Sequence, residues 1–156
     1  MRKVIATFLV RTLSRKVSKH MHMTRDSQSG GRPISETTKR SLEQRLVAHA
    51  KKHYSGKYQR LEMRFKGPFC YIDAYKEPSV PSGTKMPTGE TREQFIERVR
   101  STPIHLCRLR HFSEDRWSVA FYRYSNEKYE PCLFPSGDWF GPPEIAFDVG
   151  AVYLNE

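Results

Sequence analysis

Few signatures of familiar chemistry occur in this 156-residue sequence, and each gap removes a class of function. The apolar run Val4 to Val10 is far too short to span a bilayer, which takes about 20 residues. It is also a poor secretory signal, because Arg11 ends it and no small-residue cleavage site follows. Cysteine is scarce: Cys70, Cys107 and Cys132 are odd in number and form no CxxC pair, which argues against a disulfide framework and a four-thiolate zinc site. A reducing cytoplasm is the compartment this implies. Gly30-Gly31 lacks the Lys-Ser/Thr that a phosphate loop needs. Ser136, in Pro-Ser-Gly, lacks the Gly-x-Ser-x-Gly elbow of a hydrolase.

Acidic residues are missing from the first 23 positions, and this gap shapes the whole charge distribution. Residues 1–57 hold 14 Lys and Arg against 3 Asp and Glu, whereas residues 58–156 hold 13 against 14. The net charge of +10 therefore resides in the first third. A concentrated cationic segment suits a polyanionic partner, since each neutralised phosphate releases counterions. Residues 1–34 read as a basic extension ending in a polar Gly-Gly-Arg-Pro linker. Met21 and Met23 are alternative starting points within it.

Residues 35–156 read as one α+β domain. The spacing of Leu42, Leu46 and Ala50 predicts a helix over Ser35 to His53, with Lys39, Arg40, Lys51 and Lys52 off its apolar stripe. "RLEMRF" and "FCYIDAY" alternate on either side of Gly67-Pro68 and predict a hairpin, with Asp73 near Arg64. Residues 78–103 form an inserted loop and short helix, opened by the capping box Thr91-x-x-Gln94. "HLCRLRHF" and "RWSVAFYRY" predict a second hairpin turning at Ser113 to Arg116. "YEPCLF" adds an outer strand, and Pro142-Pro143 opens a closing helix. The expected fold is an antiparallel sheet of four to five strands flanked by an N-terminal and a C-terminal helix.

Strict alternation places Leu106 on one face with Arg108 and Arg110, and Trp117, Val119 and Phe121 on a face with Arg123. Arginines and rings then share a border of the sheet. The candidate nucleic-acid-binding residues are Lys39, Arg40, Lys51, Lys52, Arg60, Arg64, Arg108, Arg110, Trp117, Tyr122, Arg123 and Tyr124. Trp139 and Phe140, in a turn-rich loop, are candidate anchors for a protein partner. His49 and His53 are four apart on the helix, as a metal pair would be, but no third ligand accompanies them. No metal, cofactor or small-molecule ligand is implied.

"KRSLEQRL", "LCRLR", "RWSVAFY", "KYE", "FPSG" and "GPPEIAFD…YL" together resemble a small bacterial protein family of unknown activity, over residues 39–77 and 104–154. The resemblance implies a bacterial cytoplasmic domain and transfers no catalytic residue. "RLRHFSEDRWSVAFYRY" is similar to the central hairpin of RelE/ParE-type ribonuclease toxins, although here a hairpin of strands precedes it instead of a helical one. Three functions follow as expectations. The first is a non-catalytic nucleic-acid-associated or accessory protein whose partner is RNA or DNA. The second is a RelE/ParE-like ribonuclease, and the third a protein-interaction module.

Overall fold

The computed structural model describes residues 27–156, so the acid-free segment 1–23 lies outside the described residues. Helix α1 spans Glu36–His53 and starts where Ser35, in extended conformation, accepts the Thr38 N–H on its hydroxyl at 3.2 Å. Glu36 in the first turn and Lys51, Lys52 and His53 in the last complement the helix dipole. Leu42, Leu46 and Ala50 form its buried stripe.

Five strands follow as a meander in the order β1-β2-β3-β4-β5, all antiparallel: β1 Arg60–Lys66, β2 Phe69–Tyr75, β3 Ile104–Ser113, β4 Arg116–Arg123 and β5 Lys128–Cys132. Gly67, at φ 56°, makes the tight β1–β2 turn. Helix α2, Arg92–Ser101, lies in the long β2–β3 connection with its predicted capping box formed and no buried residue. Pro131 sits on the outermost strand, where a missing N–H costs least. Helix α3, Pro143–Gly150, continues into a 3₁₀ turn over Ala151–Asn155.

The core lies between one face of the sheet and the pair α1 and α3. Cys70, Ile72, Cys107, Leu109, Trp117 and Val119 meet Leu46 and Phe147 there. Gly150 touches β3 so closely that a Cβ would stand 2.6 Å from the Leu106 carbonyl oxygen. The two helices are clamped by polar groups. Arg45 makes two bonds to Glu144 (2.6 and 2.8 Å) and one to Asp115 (2.7 Å). His49 and the Tyr54 hydroxyl both reach Asp148 Oδ1 at 2.7 Å. His49 is thus tied to a neighbouring helix, and its partner is a carboxylate.

The expected linker docks on the fold at several of its described residues. Gly31 has φ 95°, and any Cβ there would meet the His111 carbonyl at 2.9 Å. Arg32 N–H bonds His111 O at 2.8 Å and Ile34 N–H bonds Gly67 O at 3.1 Å, while the Ile34 side chain enters the core. Among the described residues no helix is long and apolar enough to cross a membrane.

Candidate nucleic-acid interface on the second sheet face

Alternation along β1 and β2 sends Leu61, Met63, Phe65, Cys70, Ile72 and Ala74 towards the helices. Arg60, Glu62, Arg64 and Lys66, paired with Tyr75, Asp73, Tyr71 and Phe69, therefore occupy the other face. On β3 the register slips: Tyr71 pairs with Arg108 but Asp73 pairs with His105, leaving Leu106 as an extra residue. This bulge corrects the expected placement of Leu106. It is fully buried with Cys107, and His105 joins Arg108 and Arg110 on the second face. Tyr122 on β4 pairs with Tyr129 on β5 on that same face.

The face is lined by rings in contact. Centroid separations are 6.2 Å for Phe69–Tyr71, 5.4 Å for Tyr71–Tyr129, 5.0 Å for Tyr129–Tyr122 and 4.8 Å for Tyr122–Tyr124. For a β2 ring to touch a β5 ring the side chains must lean inward across the two strands between, so the rings form one connected patch, the basin of this face. The Tyr129 hydroxyl is buried with no hydrogen-bond partner among the described residues. Burial, and then the charge of Asp73, push this phenol above its ordinary value.

Guanidinium groups lie over these rings: Arg60 at 3.6 Å from Tyr75, Arg64 at 5.3 Å from Tyr71, and Arg108 and Arg110 at 4.7 and 4.8 Å from Phe69. Their counter-charges differ. Arg60 has Glu62 at 3.6 Å, and Arg64 has the buried Asp73 at 3.0 Å. Asp73 also holds His105 Nδ1 at 2.7 Å. Among the described residues, no carboxylate forms an ion pair with Arg108 or Arg110. Burial, followed by repulsion from Arg108, holds Arg110 below the ordinary guanidinium value, although it remains a cation at neutral pH. A cavity of about 100 Å³ adjoins the pair, between Ser27 and Gln28 on one side and Ser118 and Pro131 on the other. Ser27 is held there by the Ser118 hydroxyl, which donates to its carbonyl at 2.9 Å. The basic extension thus joins the fold beside Arg108 and Arg110.

Of the residues chosen from the sequence, Arg60, Arg64, Arg108, Arg110, Tyr122 and Tyr124 come together here. Six do not. Trp117 is 1% exposed, and its indole N–H donates to the Glu114 carbonyl at 2.9 Å, so it is a core residue and presents no stacking surface. Arg123 falls on the helix-side register with Phe121 and is paired with Glu130 at 3.0 Å. Lys39 pairs with Glu36 at 2.7 Å and lies over Phe65 on the helix side. Arg40, Lys51 and Lys52 are exposed on α1, across the sheet from the basin. Trp139 and Phe140 are half-buried, with Phe140 edge-on to Phe112 at 5.1 Å and beneath Arg116 at 3.9 Å.

His105, Phe69 and Tyr129 were not chosen. The one local signal for His105 is the adjacent apolar pair Leu106-Cys107, which breaks the alternation between His105 and Arg108. Compared with known proteins, the chain matches no family model, no curated protein and no solved structure.

Proposed function

We propose that the protein is nucleic-acid-associated and holds single-stranded RNA or DNA in the basin on the second face of its sheet. The observation that carries this reading is the Arg108–Arg110 pair, two part-buried like charges without a carboxylate among the described residues. Partial burial of unpaired cations is unfavourable, and an external anion relieves it. Guanidinium groups suit phosphate because they bond two oxygens at once. Phosphates held there bring bases towards Tyr122 and Tyr124, the latter 47% exposed, and stacking contributes about 1–3 kcal/mol per base. The cationic extension, joined at Ser27, adds long-range attraction. Free cysteines fit a reducing, cytoplasmic setting.

The test is fluorescence anisotropy of labelled oligouridine and oligothymidine titrated with the full chain at several salt concentrations. Binding whose affinity falls steeply with salt supports the reading. No binding at low salt to either probe eliminates it.

A further inference from the structure

We infer that the same basin cleaves RNA, with His105 as the group that takes the proton from a ribose 2′-hydroxyl; this rests on the binding reading above. His105 was placed on the face by the bulge at Leu106, and its side chain is 30% exposed. Its Nδ1 lies 2.7 Å from Asp73 Oδ1, and the Asp73 side chain is 3% exposed and held on its other oxygen by Arg64 at 3.0 Å. A carboxylate can only accept, so Nδ1 carries the hydrogen and Nε2 presents a lone pair. Nε2 has no hydrogen bond among the described residues. The imidazole is further fixed by the Tyr122 ring at 4.6 Å, and the Tyr124 hydroxyl accepts the His105 backbone N–H at 2.8 Å. A base oriented by a buried acid is the arrangement general-base catalysis needs.

The other histidine–carboxylate pair among the described residues does not share these surroundings. His49 and Tyr54 converge on one Asp148 oxygen at the helix junction, against Phe147. His111 is 8% exposed and packed on Trp117. Only His105 of the three shares its sheet face with two cations lacking a carboxylate among the described residues.

The step balances without metal or oxidant. His105 Nε2 accepts the 2′-hydroxyl proton, O2′ forms a bond to the adjacent phosphorus, and the P–O5′ bond breaks. The departing O5′ takes a proton from water or from the imidazolium. The products are a 2′,3′-cyclic phosphate and a 5′-hydroxyl. Arg108 and Arg110, the next positions on that face, stabilise the charge that builds on the non-bridging oxygens. Asp73 is a positioning residue.

The experiment uses the full chain with 5′-labelled oligouridine and oligothymidine in the presence of EDTA. Oligouridine is expected to be cut to cyclic-phosphate ends, and oligothymidine, lacking the 2′-hydroxyl, to be bound and left intact. His105→Ala is expected to lower the cleavage rate about 10²–10⁴-fold while still binding, with partial recovery on adding free imidazole. Asp73→Asn should lower kcat with KM unchanged. Tight binding of oligouridine with no cleavage overturns this inference and leaves the binding reading standing. Equal cleavage by His105→Ala overturns it as well, and absence of binding to both probes removes both.

Discussion

Replacing Arg108 and Arg110 together by Gln separates a binding role from a structural one. Neither guanidinium has a carboxylate partner among the described residues, so the double variant breaks no ion pair there. What is lost is their contact with Phe69, at 4.7 and 4.8 Å, and that of Arg108 with Tyr129 at 5.6 Å, and what is gained is relief of mutual repulsion. Cation–π contacts contribute about 0.5–1 kcal/mol each when exposed and about 2 when desolvated, so losing three, offset by the relieved repulsion, should change folding stability by no more than about 2–4 kcal/mol. Binding should respond in its salt dependence, which folding stability does not report. Each phosphate neutralised on a single strand contributes about −0.7 to the slope of log affinity against log salt, so losing two should flatten the slope by about 1.4. Between about 50 and 200 mM salt the parent should then lose about sevenfold more affinity than the variant. Anisotropy of labelled oligouridine at four or so salt concentrations, alongside thermal unfolding, reads both quantities. An unchanged slope in a folded double variant would refute the reasoning, and so would a larger slope change from Lys51→Gln with Lys52→Gln on α1.

Gly150→Ala puts a methyl group 2.6 Å from the Leu106 carbonyl oxygen and should destabilise the fold by about 1–3 kcal/mol in denaturant titration. Trp117→Phe removes the bond to Glu114 O and leaves space in the core, so it should cost about 1–3 kcal/mol while leaving oligouridine affinity unchanged. Acid should loosen α2 before the sheet. That helix buries no residue and is pinned by Arg100 on Glu77 and Arg98 on Glu90, and those bonds hold both carboxyls below the ordinary carboxylate value. A depressed acid stabilises above its unfolded value and loses that effect as pH falls through the folded one. Hydrogen exchange over residues 78–103 should therefore accelerate below about pH 4.5 while β2–β4 amides stay protected.

Features set by neighbours in the chain were the ones legible beforehand. Ser35 with the Leu42–Leu46–Ala50 stripe, Gly67-Pro68 between alternating runs, and Thr91-x-x-Gln94 each act over a few residues, and each forms as read. The Arg64–Asp73 pair is also local, lying diagonally across a tight hairpin. Features needing distant partners were not legible. His105 meets Asp73 only because β3 pairs with β2 across 28 intervening residues with a bulge at Leu106, and alternation alone assigns Leu106 to the wrong face. Trp117 looked available because its role in the core depends on Gly141, which bridges it from a loop 24 residues on. Ile34 looked like linker because what holds this segment, Gly67 in the β1–β2 turn and His111 on β3, lies far along the chain. The split of the arginines followed the same division. Arg60, Arg64, Arg108 and Arg110 share a face by register, whereas Arg123 is one position out of phase and faces Glu130.

Ultraviolet crosslinking of oligouridine to the full chain, followed by peptide mapping, tests the basin most directly. Adducts are expected at Phe69, Tyr71, Tyr122 or Tyr124, with none on α1 and none at Trp117. Adducts confined to residues 36–53, or to the 135–141 loop, would contradict the account.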